Sequence, residues 1–331
     1  MGPLQEHDDA PYVSTGRLPS PEQVRRSVDE AYERYQTAPG GEVSRVYPAL
    51  AGVPAGLFGI CAVGTSGSVY AAGDAGHGFA VMSVAKPFVF ALICQALGPE
   101  EARQRVGVNA TGLAFNSLAA VERGRDGRTN PMVNAGAIAT TSLAPGATAE
   151  ARWAFLLDGL SRFAGRPLAL DEEVYASASA TNHRNRDIAS LLADHGRLWC
   201  DPAEAVDRYT RQSSLRVSAT ELAVMGATLA DGGVNPLTRE QVVDAAVCHF
   251  TLAAMTTAGL YETSGDWLYD VGVPGKSGIS GGIVVVAPGK GALAAFAPPL
   301  DGFGNSVKGQ LAARFLSRRL GLSLFVSEPE T

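Results

Sequence analysis

A chain of 331 residues exceeds the usual span of one small core, so one large or two interleaved lobes are expected. With 46% hydrophobic and 18% charged residues, the composition is that of an ordinary globular enzyme. A net charge of −6 without a basic run excludes nucleic acid as a partner, and the longest apolar run, Phe88 to Cys94, is far short of the ~20 residues a membrane span needs.

From the N-terminus onward, residues 1–18 are polar, with Glu6, Asp8 and Asp9 near the start. They lack the basic-then-apolar pattern of a signal peptide, so a disordered N-terminal segment and a cytoplasmic protein are expected. Pro21 to Tyr35 reads as a polar helix with Ser20 as N-cap and proline in its first turn. Leu57 to Val63 and Ser68 to Ala72 read as strands joined by the Gly64-Thr65-Ser66-Gly67 turn. A helix follows from Ser83 to Leu97, stopped by Gly98-Pro99. Between about 110 and 260 the period is helical, clearest over 149–163 (with Thr148 as N-cap), 186–194, 202–212 and 219–230. Gly282 to Ala287 and Gly291 to Ala297 flank Pro288-Gly289-Lys290 as an antiparallel hairpin, and Asn305 to Leu320 forms a closing amphipathic helix. The fold class is therefore α/β (α+β): an antiparallel sheet built from both termini and flanked by helices, beside a mainly helical lobe over about 110–260. One domain over 19–325 and a tail at 326–331 complete the division.

Cys61, Cys94, Cys200 and Cys248 are widely spaced and read as buried apolar residues of a reducing compartment. The five histidines show no ligand spacing, so no metal is expected.

Only four of the 27 basic residues are lysines: Lys86, Lys276, Lys290 and Lys308. Lysine can lose its proton when desolvated, whereas arginine effectively cannot. Ser83-Val84-Ala85-Lys86 puts a hydroxyl and an amine on one helix face, where the amine can act as base for a serine nucleophile once burial and a second positive charge lower its pKa. Lys276, opening Lys276-Ser277-Gly278, is the candidate for that supporting charge. Pro87 is tolerable only in a first helical turn, which places Ser83 at the helix start. The glycines at 278, 281 and 282 allow the close backbone approach that an oxyanion hole requires. These residues point to acyl transfer at the seam of two lobes.

The protein resembles the serine-dependent glutaminases, relatives of the serine β-lactamases and penicillin-binding proteins. The resemblance covers about residues 21 to 323. It rests on Ser83-Val84-Ala85-Lys86, Ala114-Phe115-Asn116-Ser117, Asn130-Pro131-Met132-Val133-Asn134-Ala135-Gly136-Ala137-Ile138 and Arg184-Asn185. Further on it includes 229–233, 272–278 and Pro299-Leu300-Asp301-Gly302-Phe303-Gly304-Asn305-Ser306-Val307. It implies a β-lactamase-like fold and hydrolysis of L-glutamine to L-glutamate and ammonia through a γ-glutamyl-serine ester, without a cofactor. By position it implies Ser83 as nucleophile, Lys86 as its base and Tyr261 as a proton shuttle. Asn134, Asn185 and Tyr209 would line the glutamine pocket, and the Ile279 N–H would join that of Ser83 in the oxyanion hole. It also implies a homodimer or homotetramer. Without the resemblance, Asn134 reads equally as a turn or cap residue, and Tyr209 and Tyr261 as packing residues.

Two positions depart from the family pattern. Where the family carries a glutamate that binds the substrate's α-amino group, seven residues before Asn185, this sequence has Ala178. Where it carries the tyrosine of Tyr-Ile-Pro, this sequence has Val46. Losing a buried carboxylate–ammonium pair costs roughly 3–5 kcal/mol, so a glutaminase-derived amidase acting on an N-acylated glutamine is an alternative to an ordinary glutaminase. A β-lactamase or D,D-peptidase-like acyl enzyme or transacylase is a second alternative, and a non-catalytic binding protein a third.

Overall fold

A computed structural model describes residues 16–326. The expected disordered segment, for its residues 1–15, and the tail from 327 on lie outside them. The strands of the main sheet are β1 (Gly59–Gly64), β2 (Val69–Gly73), β3 (Gly275–Ser277), β4 (Gly282–Ala287) and β5 (Gly291–Phe296). Their order is β2-β1-β5-β4-β3, antiparallel throughout. The N-terminal and C-terminal strands meet where β1 pairs with β5, from Gly59 opposite Phe296 to Gly64 opposite Gly291. Both expected hairpins form within a residue or two of their predicted ends, and the sheet is built from both termini.

Strand side chains alternate between faces, and here every strand residue of β1, β4 and β5 is buried, so both faces carry a core. On one face Ile60, Ala62, Ile283, Val285, Leu293 and Ala295 pack against α1 (Pro21–Tyr35) and the closing helix Val307–Arg319. The α1 contacts come from a stripe at Val24, Val28 and Ala31, one face of a 3.6-residue repeat. Ser20 accepts from the Gln23 N–H at 3.3 Å, as an N-cap should. Leu18, expected in the disordered segment, packs against this same core.

The other face, through Cys61, Val63, Val284, Val286, Ala292 and Ala294, is continuous with the helical part of the molecule. Six helices matter to the site: α2 (Lys86–Leu97), α3 (Asn134–Ser142), α4 (Glu172–Thr181), α5 (His183–Asp194), α6 (Pro202–Ser213) and α7 (Ala219–Ala230). Helix α7 falls inside the stretch expected for the helical lobe, yet it lies directly on the sheet. Gly226 is the reason it can: a Cβ there would stand 2.7 Å from Val284 Cγ2 and 2.8 Å from Ala292 Cβ. A Ser218–Glu221 capping box starts this helix.

Helix α2 is buried on all sides from Lys86 to Cys94. A helix apolar all round belongs in the middle of a core, and burying Phe88, Phe90 and Ile93 stabilises the fold by about 1.5–3 kcal/mol each relative to exposure. The helix expected from Ser83 begins later than the spacing predicts. Met82–Ala85 forms a 3-10 turn, and the α-helix starts at Lys86 with Pro87 in its first turn, where a missing N–H costs nothing. No single helix among the described residues is long and apolar enough to cross a membrane.

Candidate active site

Ser83 is held on the 3-10 turn from both sides. Upstream, Phe79–Ala80 pairs with Arg216–Val217, and the Val81 N–H donates to the Leu215 carbonyl at 2.9 Å. Met82 then turns with φ +47°, a left-handed conformation uncommon for a bulky residue and one that persists only where the surroundings enforce it. Downstream, the N-terminus of α2 presents its dipole to any negative charge forming beside Ser83. Gly278, just beyond β3, closes on the turn: a Cβ there would stand 3.2 Å from the Val81 carbonyl oxygen and 3.3 Å from the Ser83 nitrogen. The backbone N–H groups of Ser83 and Ile279 donate to no acceptor among the described residues. Two free amides flanking one serine are the donor set that a tetrahedral oxyanion needs.

Ser83, Asn134, Asn185, Tyr209 and Ile279 line one cavity of about 120 Å³, together with Ala178 and Val46. The structure thus gathers five of the expected site residues and both departing positions around a single space. Lys86, Tyr261 and Lys276 are buried close to that site rather than lining the cavity.

The Lys86 amine donates to Asn134 Oδ1 at 2.7 Å, and the Tyr209 hydroxyl donates to the same oxygen at 3.1 Å. Asn134 Nδ2 donates to Asn185 Oδ1 (2.9 Å), Asn185 Nδ2 to Asn182 Oδ1 (2.5 Å) and Asn182 Nδ2 to Thr210 Oγ1 (2.9 Å). This relay ties the first turns of α3 and α5 to α6 and fixes which end of each amide faces which partner. The Ser83 side chain neighbours the hydroxyls of both Tyr209 and Tyr261, whose protons go to the Asn134 and Ser277 oxygens. Tyr261, itself at φ +58°, donates to the Ser277 carbonyl at 3.0 Å and packs tilted on Phe115 with ring centroids 4.7 Å apart.

Burial lowers Lys86 from its ordinary value near 10.5 to about 7. At neutral pH a large fraction of this amine is therefore unprotonated and able to accept a proton. Burial also raises the Tyr261 and Tyr209 hydroxyls well above their ordinary range, which keeps both protonated as donors. Burial lowers Lys86, and Lys276 is pushed well down by burial and then by its repulsion with Lys86, a charge interaction that acts on both amines. The Lys276 amine donates to the Gly259 and Ser277 carbonyls at 2.8 and 2.6 Å and lies 4.1 Å from the Tyr261 ring centroid. Its place is thus beside the tyrosine, bracing the carbonyl that Tyr261 also uses.

Several residues at this site escape sequence reasoning. Asn182 and Thr210 extend the polar relay, Met82 and Tyr47 line the cavity, and Ser214 lines it with a buried, unpartnered hydroxyl. Asn182 has a signal in the sequence, since it lies three residues before Asn185 and so shares its helix face. Met82 has none, because its importance comes from a backbone angle.

An antiparallel sheet with a buried Ser-x-x-Lys helix start beneath it defines the β-lactamase-like class of fold. Comparisons narrow this further. The family model described as Glutaminase matches residues 41–325. Glutaminase 2 of Yersinia pestis is 67% identical over 97% of this chain and 94% of its own length. The solved structure of a probable glutaminase superposes with a TM-score of 0.92 at 44% identity, covering 93% of this chain and all of the other. A crystal structure of the protein called Mglu in its glutamate form gives a TM-score of 0.87 at 33% identity, over 92% of this chain and 70% of that one. The protein belongs to the glutaminase family, and it is an amidohydrolase of that family.

Proposed function

We propose that this protein hydrolyses the γ-carboxamide of a glutamine substrate to the carboxylate and ammonia through an ester on Ser83. Ser83 Oγ attacks the amide carbon while its proton passes, by way of the tyrosine hydroxyls, to the Lys86 amine. The carbonyl electron pair becomes an oxyanion between the Ser83 and Ile279 N–H groups. The oxyanion collapses, the C–N bond breaks, and the proton returns to the departing nitrogen, which leaves as ammonia. Water then adds to the ester, giving its proton to Lys86, and the serine hydroxyl is restored as the carboxylate leaves. Such a proton-transfer step contributes about 10²–10⁴-fold in rate.

The observation that supports this reading is the buried Lys86 amine, lowered to about 7, which shares the Asn134 Oδ1 acceptor with the Tyr209 hydroxyl of the Ser83 cavity. Lys86 must be unprotonated to act, so kcat/KM should fall about tenfold per pH unit below about 7 and level off above it. A pH profile between 6 and 9 with no acid limb contradicts the assignment of the base. The family resemblance also supports a homodimer or homotetramer. Light scattering on the purified protein reads this directly, and a monomer would refute it.

A further inference from the structure

The cavity beside Ser83 is lined by no aspartate or glutamate. Its one ionised lining residue is Arg184, exposed at the surface and in no ion pair with any described residue. Lys86 and Lys276 are buried nearby and add to the local positive charge whenever either is protonated. A substrate ammonium entering this space would lose water, meet no carboxylate and face cations. Three of the four lining amide oxygens are already engaged, and Asn116 Oδ1 is the one that accepts no hydrogen bond among the described residues. Asn134 Oδ1 accepts from Lys86 and Tyr209, Asn185 Oδ1 from Asn134, and Asn182 Oδ1 from Asn185. What the cavity does offer is apolar surface: Met82 and Ile279, packed in one cluster, with Val46 and Ala178 along the same space. It also offers the buried, unpartnered hydroxyl of Ser214, a donor suited to a carbonyl oxygen.

We infer that the preferred substrate is a glutamine-type carboxamide whose amine is blocked by an acyl group. Its carboxylate meets the Arg184 guanidinium and its acyl group lies on the surface of Val46, Met82, Ala178 and Ile279. This rests on the reading of carboxamide hydrolysis at Ser83. The bond broken is still the C–N bond of the γ-carboxamide, water supplies the oxygen, and ammonia leaves while the acyl group stays in place.

The test is steady-state ammonia release by the full-length protein from L-glutamine and from N-acetyl-L-glutamine at one pH. The wild-type kcat/KM should be at least about tenfold higher for N-acetyl-L-glutamine, and Ala178→Glu should move the ratio towards L-glutamine by about tenfold or more. Arg184→Met should raise KM for N-acetyl-L-glutamine by about tenfold while changing kcat less. An equal or higher wild-type kcat/KM for L-glutamine overturns the inference and leaves carboxamide hydrolysis standing. Should the buried Ala178→Glu change prevent folding, the wild-type ratio decides alone. Ammonia from neither compound overturns the underlying reading and this inference with it.

Discussion

Ser83→Ala should lower kcat for ammonia release by about 10⁴-fold or more, because it deletes the hydroxyl proposed to form the ester while leaving the rest of the site intact. The turn around Ser83 is held by backbone pairing at Phe79–Ala80, by the Val81 N–H and by the close contact of Gly278, none of which uses the serine hydroxyl. The variant should therefore fold and bind substrate as the parent does, and equilibrium binding measured beside the rate separates the two effects. A Ser83→Ala variant within tenfold of the parent rate would mean that the nucleophile is water or another residue.

Replacing Lys86 should have the next largest effect. Lys86→Met keeps most of the buried stem and removes the amine, so kcat should drop by about 10²–10⁴-fold, the usual contribution of a positioned base. If the predicted limb near 7 is the titration of this amine, the residual rate should lose its fall at acid pH. Lys86→Arg is the sharper comparison. It preserves a cation but cannot supply a neutral base, and it should be as inactive as the methionine variant. A partly active arginine variant would mean that Lys86 works by charge rather than by accepting a proton. Asn134 Oδ1 loses one of its two donors in the methionine variant but keeps Tyr209, which limits the structural damage.

Which parts of this site are legible in the sequence follows from the range of the forces involved. Ser83 and Lys86 are three residues apart on one turn, and local spacing is enough to pair them. The hairpins are readable because their turn residues and alternating apolar strands are local signals. Met82 is not, since its positive φ is imposed by strands far away in sequence. Asn182 meets Thr210 across 28 positions, a contact that exists only once α5 and α6 pack. The rarity of lysine singles out Lys276, which lies buried beside Tyr261, but its interaction with Lys86 depends on burial, which no local pattern encodes. Ala178 and Val46 stand out only against the family pattern, and their shared place on the cavity wall gives that departure a physical meaning.

The most direct measurement is acid-quench mass spectrometry during turnover, followed by digestion to the peptide carrying Ser83. The wild-type protein should show the acyl group of the substrate as an ester on Ser83, and Ser83→Ala should show none. Multiple-turnover ammonia release with no acyl adduct at Ser83, in quenches faster than the turnover time and under conditions that preserve serine esters, or with the adduct on a different residue, would contradict the account.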